Sequence, residues 1–260
     1  MEMKQVAQVV DLLEFFGANA RPATLAEISR QLGWPKSSAF KLLATLSARG
    51  FLYEPYGRGM YYPSPRWARL VEAISRSEPV PDALAGLLRT LSDQTGETAV
   101  LASISGVNAF FVEAIEPENP VRYTAQVGKT VPLYATAVGK ALLAQLAAPD
   151  RKALLAKTSF TRFTSMTSMS AEAVEAAVQE GAKRGYFEGQ NELNEDLGGV
   201  AVPLCYPGRP LAVMVAGPLY RIAPRYREIV TLIRQGLPEL DPLAADGPGA
   251  KPPARRRAPA

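Results

Sequence analysis

The feature that most constrains this chain is the stretch 24–50, TLAEISRQLGWPKSSAFKLLATLSARG, whose pattern predicts two short amphipathic helices joined by a tight turn. Thr24 followed by Glu27 forms a capping box, so a helix is expected to begin there. Gly33 can adopt the left-handed conformation that ends a helix, and Pro35 suits the first turn of the next one. The stretch therefore predicts a helix-turn-helix, a motif that places its second helix in the major groove of DNA.

The second of these helices has two chemically different faces. Its apolar residues repeat at helical spacing and are expected to face a core: Ala39, Leu42, Leu43 and Leu46. The opposite face is small, hydroxylated and basic, as a major groove requires, and the Phe40 ring suits a thymine methyl. The predicted DNA contacts on this face are Lys36, Ser37, Ser38, Phe40, Lys41 and Thr45.

A hairpin is predicted directly after the helix pair. Residues 51–54 and 60–63 suit two short strands, and Gly57-Arg58-Gly59 suits the turn between them. A hairpin in this place is a wing, and Arg58 lies where a wing tip can enter the minor groove. The alternative interpretation is a small three-helix module with a hairpin that binds another protein.

Length and charge predict more than one domain. A chain of 260 residues exceeds the usual size of a single domain. Residues 1–77 contain 10 Lys/Arg and 6 Asp/Glu, which gives a net charge of +4. Residues 78–243 contain 15 Lys/Arg and 18 Asp/Glu, which gives a net charge of −3. A basic N-terminal module on an acidic body is typical of a DNA-binding domain attached to a second domain.

Four segments follow from these patterns. Residues 1–64 are expected to form the winged helix-turn-helix, and residues 65–77 a linker helix that can also be a dimer contact. Residues 78–243 form the second domain, which begins at a proline-rich break. The tail 244–260 is rich in Pro, Ala and Gly and is expected to be disordered; its arginines either add phosphate contacts or are simply solvated.

The N-terminal stretch and the cysteine content indicate a cytoplasmic protein without a membrane segment. The start of the chain predicts an amphipathic helix instead of a signal peptide, with Val6, Val9, Val10, Leu13 and Phe16 as its apolar stripe. No window has about 18 consecutive apolar residues, as a membrane span requires. The single cysteine, Cys205, excludes an internal disulfide and suits a reducing compartment.

The second domain mixes helices with strands that form hairpin-like clusters. Strands are predicted at 98–106, 108–117, 121–127, 186–190, 199–205 and 210–217, and helices at 135–146, 149–157, 171–185 and 225–237. Strands in two clusters with helices between them imply an α+β fold with an antiparallel sheet, not a doubly wound parallel one.

The composition argues against an enzyme. The chain has no histidine, which removes the commonest general base and the commonest metal ligand, and its one cysteine has no imidazole to activate it. No phosphate-binding glycine loop is present, so no cofactor is predicted. The acidic cluster could hold a divalent cation, but solvated loop charge is the favoured interpretation; it consists of Glu188, Glu192, Glu195 and Asp196.

Several motifs in order along nearly the whole chain resemble the IclR family of transcription regulators. They are WPKSSAFKLLATLSARGFL with the wing, GETAVL at 96–101, VGKTVPLYATAVGKALLA at 127–144, RGYFEGQNE at 184–192, GVAVPL at 199–204 and AGPL at 216–219. The resemblance implies a winged helix-turn-helix followed by a GAF-like α/β effector-binding domain. It also implies a homodimer or homotetramer on palindromic double-stranded operator DNA.

The resemblance further implies an effector pocket on one face of the C-terminal sheet. Carried over by position, its contacts are Ala137, Val138, Gly189, Gly199, Met214 and Ala216. Relatives that bind small 2-oxo acids have polar or acidic residues at several of these positions, so the apolar wall here favours a larger or aromatic acid. Arg122 and Lys140 are candidate counter-ions for its carboxylate, although each is also explained as a solvated surface charge.

Three functional classes stay open at this point. The first is a DNA-binding regulator of a catabolic operon that responds to a small organic or aromatic acid. The second is a DNA-binding architectural protein that ignores small molecules, and the third is a ligand sensor without DNA binding. Operator-specific binding separates the first two from the third, and an effector-dependent change in that binding separates the first from the second.

Overall fold

The computed structural model describes residues 3–57, 59–75, 82–206 and 209–237, in two compact units that divide after Pro79. The predicted wing-tip contact Arg58, the proline-rich break and the tail 244–260 lie outside the described residues. Within the described ranges, no helix is long and apolar enough to cross a membrane.

The N-terminal unit is a winged helix-turn-helix, as predicted. Its elements are α1 Lys4–Asn19, β1 Ala23–Thr24, α2 Leu25–Gln31, α3 Lys36–Ala48, β2 Leu52–Tyr53, β3 Met60–Pro63 and α4 Arg66–Ser75. The strands form an antiparallel sheet in the order β1-β3-β2. Strand β1 was not expected, because a two-residue strand is too short to show alternation in a sequence.

The predicted apolar stripe of α1 is only partly confirmed: Phe16 is buried and Val9 and Leu13 are half-buried, but Val6 and Val10 are exposed. The buried residues of this helix are Gln8, Leu12, Phe15 and Phe16, whereas Val6 and Val10 are 59% and 51% exposed. Both sets obey helical spacing, so periodicity alone does not choose between them. The core contains Leu12 and Phe15, which the predicted stripe left out, whereas Phe16 belongs to both sets and packs edge-on against Tyr62 of the wing.

Helix α2 begins where the capping box predicts, but only half of that box forms. Thr24 Oγ1 accepts a hydrogen bond from the Glu27 N–H at 3.3 Å. The Glu27 carboxylate pairs with the guanidinium of Arg21 instead of turning back to the Thr24 N–H. A bidentate pair with a guanidinium is stronger than one hydrogen bond from a backbone N–H, which explains the exchange.

The C-terminal unit is an α/β domain built on one six-stranded antiparallel sheet, in the order β6-β5-β4-β9-β8-β7. Its described elements are α5 Asp82–Thr95, β4 Thr98–Ser105, β5 Asn108–Ile115, β6 Thr130–Pro132, α6 Ala137–Ala144, α7 Ala148–Leu155, α8 Ala171–Arg184, β7 Phe187–Gln190, β8 Leu197–Tyr206, β9 Arg209–Pro218, α9 Leu219–Ile222 and α10 Tyr226–Gly236.

Both faces of this sheet are covered, which explains why β4, β8 and β9 are apolar along most of their length. One face packs against α6 and α8, and the other packs against α5 and α10. Val100 of β4 faces the first layer and its neighbours Ala99 and Leu101 face the second, as the two-residue period of a strand requires.

The strand predicted at 121–127 does not form. These residues are irregular, and the sheet edge is instead β6, which pairs with β5 through Ala109 and Val131. Backbone groups of the irregular segment bond to side chains: Ala125 N–H donates to Glu116 Oε1 at 2.9 Å, and the Tyr123 carbonyl accepts from Thr98. Such local partners replace the ladder that a strand would need.

Candidate functional site

Helix α3 presents the predicted DNA contacts on its solvent face. Ala39, Leu43 and Leu46 are buried, and Phe40 on the opposite side is 55% exposed. More than half of the Phe40 side chain is therefore open to a partner on the solvent side of α3. The other predicted contacts are exposed except Ser38, which is half-buried: Lys36, Ser37, Lys41 and Thr45.

The turn before α3 is fixed by a residue that the sequence did not single out. Gly33 has φ of +67°, the left-handed conformation expected of it. The buried Ser29 donates from Oγ to the Trp34 carbonyl at 2.7 Å, and the Trp34 N–H donates back to the Ser29 carbonyl at 2.9 Å. These two hydrogen bonds hold the angle between α2 and α3. In the sequence, the one sign of them is a serine at a position of α2 that helical spacing places toward the core.

The wing also has a local brace. The Gly59 N–H donates to Glu54 Oε2 at 2.6 Å, which closes the turn of the hairpin. Tyr56, beside this turn, is 79% exposed and was not predicted as a contact. An exposed aromatic ring at a wing tip can lie against DNA, so Tyr56 joins the candidate DNA-binding surface.

Helix α4 carries an exposed apolar stripe. Leu70, Val71 and Ile74 are 44%, 59% and 64% exposed, while Trp67 is half-buried against Phe51 with its ring centroid 4.4 Å away. The indole N–H of Trp67 donates to the Phe51 carbonyl at 2.9 Å, so the start of α4 is anchored to the wing.

In the C-terminal unit, a small cavity of about 30 Å³ lies between the sheet and the start of α6. It has room for about two water molecules. Most of its wall is apolar. The lining residues are Phe111, Tyr123, Val131, Ala135, Thr136, Ala137, Gly189, Glu192, Leu193, Leu197, Gly198, Gly199, Met214 and Ala216.

The strand register explains why the cavity exists. Gly189 of β7 is opposite Gly199 of β8, and Gly199 is opposite Ala216 of β9. Three small residues side by side leave a depression in the face of the sheet. Ala137 at the start of α6 covers this depression, with its backbone N only 3.1 Å from where a Cβ of Gly189 would lie.

Five of the six residues carried over from the resemblance line the cavity and Val138 does not; the candidate counter-ion Arg122 does not line it either. Val138 is fully buried in the core cluster beneath α6. The Arg122 Nε donates to Glu116 Oε2 at 2.7 Å, and its Nη1 donates to the Asn119 carbonyl at 3.1 Å. The structure thus uses Arg122 to brace the irregular segment and does not place it at the cavity.

The alternative interpretation of Lys140 as a solvated charge is wrong, and so is that of Glu192. Lys140 is buried on α6, and its Nζ pairs with Glu192 Oε1 at 2.6 Å. Glu192 is itself part of the cavity wall. Glu188 of the same acidic cluster pairs with Arg184 at 3.0 Å, and no group of described residues has the composition of a metal site.

Two other polar groups shape the wall. Thr136 caps α6, because its Oγ1 accepts from the Gly139 N–H at 3.1 Å. The N–H groups in the first turn of a helix have no partner inside it, so the backbone at Ala137 presents positive partial charge to the cavity. Burial raises the pKa of the Tyr123 hydroxyl, which therefore stays protonated at neutral pH.

Two neighbouring glycines of β8 are expected to respond oppositely to alanine. A methyl group at Gly199 would contact Met214 Sδ at 3.6 Å and two Cβ atoms at 3.8 Å, which are ordinary distances. Gly199→Ala therefore fills free space and removes chain entropy from the unfolded state. We expect the free energy of unfolding to stay constant or rise by about 0.5–1 kcal/mol.

The matched variant is Gly198→Ala on the opposite face. Its methyl group would lie 2.4 Å from Ile222 Cγ2 and 3.0 Å from the Tyr226 hydroxyl oxygen. Overpacking of this kind costs about 1–3 kcal/mol. Urea unfolding of both variants measures the difference; equal destabilisation would show that the space beside Gly199 does not exist.

Two family profiles match the chain. The IclR helix-turn-helix domain matches residues 5–55, and the bacterial transcriptional regulator IclR C-terminal domain matches residues 73–237. The chain is 30% identical over 193 residues to the probable transcriptional regulator SauR of Cupriavidus necator, covering 74% of this chain and 77% of SauR. It is 28% identical over 202 residues to the Escherichia coli transcriptional regulator XynR, and the match covers 78% of this chain and 80% of XynR.

Solved structures share the fold. The Thermotoga maritima IclR superimposes with a TM-score of 0.72 at 21% identity, covering 92% of this chain and 97% of that one. An IclR homologue from Microbacterium hydrocarbonoxydans, solved in complex with 4-hydroxybenzoate, has a TM-score of 0.65 at 22% identity. The match covers 91% of this chain and 100% of the homologue.

Proposed function

Because this chain belongs to the IclR family of bacterial transcriptional regulators, we propose that it controls a catabolic operon in response to a small organic or aromatic acid. That the protein is a DNA-binding regulator follows from the family. The catabolic operon and the response to an acid are the proposed parts. The observation that carries the response to an acid is the apolar cavity that Gly189, Gly199 and Ala216 leave between the sheet and the N-terminus of α6.

We infer that α3 enters the major groove with Phe40 and Lys41 toward base edges or flanking phosphates. Lys36, Ser37, Ser38 and Thr45 flank them on the same helix, and Arg58 and Tyr56 of the wing complete the surface. One domain covers a single half-site, so a palindromic operator needs two copies about one helical turn apart.

The exposed stripe of α4 supports a dimer. Leu70, Val71 and Ile74 form an apolar row that is 44%, 59% and 64% exposed. A second copy of this helix would remove the row from water, and two such contacts on different faces would give a tetramer. We propose a homodimer or homotetramer on double-stranded operator DNA.

An aromatic acid fits the cavity chemically. Its ring would contact Phe111, Leu197 and Met214, and its carboxylate would face the N–H groups at the start of α6. A ring is larger than the present cavity, so binding requires the lining to move, and the flexible Met214 side chain is the easiest part to displace. The Microbacterium homologue solved with 4-hydroxybenzoate supports the view that this fold can hold such a ligand.

The effect on DNA is proposed to be a population shift. Ligand that binds better to one of two dimer conformations raises the fraction of that conformation, and only one of the two places both α3 helices on successive grooves. The same DNA-binding helices and ligand cavity could produce either activation or repression of transcription.

The test is a thermal-shift screen of the full chain against small carboxylic and aromatic acids. Binding to the folded state stabilises it by about 2.7 kcal/mol when the ligand exceeds its Kd a hundredfold. Gly199→Val is the matched control, because its side chain extends into the cavity and should abolish the shift. Operator binding without any stabilising acid would instead favour an architectural protein that ignores small molecules.

A further inference from the structure

One residue of the cavity wall, Glu192, has a carboxylate whose hydrogen bonding is incomplete. The Lys140 ammonium holds one oxygen of the Glu192 carboxylate, Oε1, at 2.6 Å. The other oxygen, Oε2, is buried and has no hydrogen-bond partner among the described residues. A carboxylate oxygen only accepts hydrogen bonds when it is ionised, so this atom can be satisfied only by a donor.

The surrounding structure fixes Glu192 in this place. The Thr167 hydroxyl donates to the Glu192 carbonyl at 2.7 Å, and the Thr164 hydroxyl donates to the carbonyl of Asn191. Both threonines are buried, and Thr167 Oγ1 also accepts from the Thr164 N–H at 2.9 Å. Asn191 has φ of +56°, a conformation that a non-glycine residue keeps only where its neighbours hold it.

The charge balance of the wall decides which ligand group belongs beside Glu192. Lys140 is the cation nearest to this carboxylate and is already paired with it, so the pair offers no free positive charge to an anion. A ligand carboxylate placed beside Oε2 would meet a like charge, whereas an O–H or N–H group would complete the bonding of a buried acceptor.

We propose that the effector is a hydroxylated aromatic acid whose hydroxyl group donates a hydrogen bond to Glu192 Oε2. The inference rests on the proposed function, because it assigns a chemical class to the ligand of the same cavity. The ligand then has a polar group at each end: a carboxylate that faces the N-terminus of α6, and a hydroxyl group that donates a hydrogen bond to Glu192. The ring between them occupies the apolar walls.

The experiment measures the Kd of the full chain for 4-hydroxybenzoate, 3-hydroxybenzoate, benzoate and 4-fluorobenzoate by calorimetry. Fluorine is close in size to hydroxyl but donates no hydrogen bond. A hydrogen bond to a charged group gives about tenfold or more in affinity, so at least one hydroxylated acid should bind about tenfold more tightly than 4-fluorobenzoate. In Glu192→Gln that preference should fall to less than about threefold.

Glu188→Gln is the control, because Glu188 pairs with Arg184 near the surface and does not line the cavity. It should keep the wild-type preference. The proposal is overturned if benzoate or 4-fluorobenzoate binds as tightly as the hydroxylated acids, or if Glu192→Gln keeps the preference. Binding of the unsubstituted acids alone would leave the proposed function intact, whereas failure of every acid to bind would contradict both.

Discussion

Replacing Phe40 and Lys41 together with alanine is expected to lower operator affinity by at least about 100-fold. Each half-site contact to a base edge or phosphate contributes about 1–3 kcal/mol, and a dimer loses both contacts twice. Phe40 is more than half exposed and Lys41 is exposed on the same face of α3, so the change removes contacts without opening the core. Fluorescence anisotropy on the DNA upstream of the gene, at one fixed salt concentration, gives the Kd.

The double variant should unfold at the wild-type temperature and bind acids as the wild type does. Its plot of log affinity against log salt should be shallower, because fewer phosphates are neutralised. Lys183→Ala is the control: this lysine is exposed on α8 of the C-terminal unit, and its loss should leave the operator Kd within about twofold. An unchanged Kd in the double variant would place the DNA contacts elsewhere than on α3.

Arg151→Met is expected to lower the free energy of unfolding by about 3 kcal/mol. The guanidinium of Arg151 makes two 2.6 Å hydrogen bonds to the Glu175 carboxylate, and its Nη1 donates to the carbonyls of Leu143 and Leu146 at 3.3 and 3.0 Å. One buried side chain thus joins α7 to α8 and to the end of α6. Methionine fills similar space but removes all four bonds, so Glu175 Oε1 keeps only its bond from Gln179 and the Leu143 carbonyl keeps only its bond from the Leu146 N–H.

The matched change is Arg184→Met, because Arg184 and Glu188 form an (i, i+4) pair near the surface. Exposed pairs of this kind contribute about 0.5 kcal/mol. Urea denaturation of both variants measures the two effects. Equal losses would mean that the Arg151 bonds do not form in solution.

The Arg151 effect should also depend on pH. Hydrogen bonds from Arg151 lower the pKa of the Glu175 carboxyl in the folded state. A lowered folded pKa adds stability that is fully present above the unfolded value of about 4.3 and is lost as the pH falls through the folded value. The stability gap between wild type and Arg151→Met is therefore expected to be largest near neutral pH and to shrink below about pH 4.

Much of this fold could be predicted from the sequence because its signals are local. Ala39, Leu43 and Leu46 repeat at helical spacing, so the buried and exposed faces of α3 followed from periodicity. Ser170 caps α8 through the Ala173 N–H at 3.2 Å, as the residue type indicates. The cavity floor came from the family resemblance, since nothing in the spacing of Gly189 and Gly199 shows that they become neighbours.

The features that sequence reasoning missed depend on contacts between distant residues. Lys140 and Glu192 are far apart in the chain, so neither could be recognised as a buried pair from its own surroundings. Helix α1 has two sets of residues at helical spacing that share Phe16, and the burial of Leu12 and Phe15 in the core, which periodicity does not show, distinguishes them. The segment 121–127 has the composition of a strand, but side chains of other elements bind its backbone.

An acid bound in the cavity is expected to change the affinity of the protein for its operator. The measurement is the operator Kd of the full chain with and without a saturating amount of the acid that stabilises it most, repeated with Gly199→Val. Coupling of this kind amounts to about 1–3 kcal/mol, so the wild-type Kd should change by about fivefold or more and that of Gly199→Val should not. An acid that stabilises the wild type but leaves its operator Kd unchanged would contradict the account.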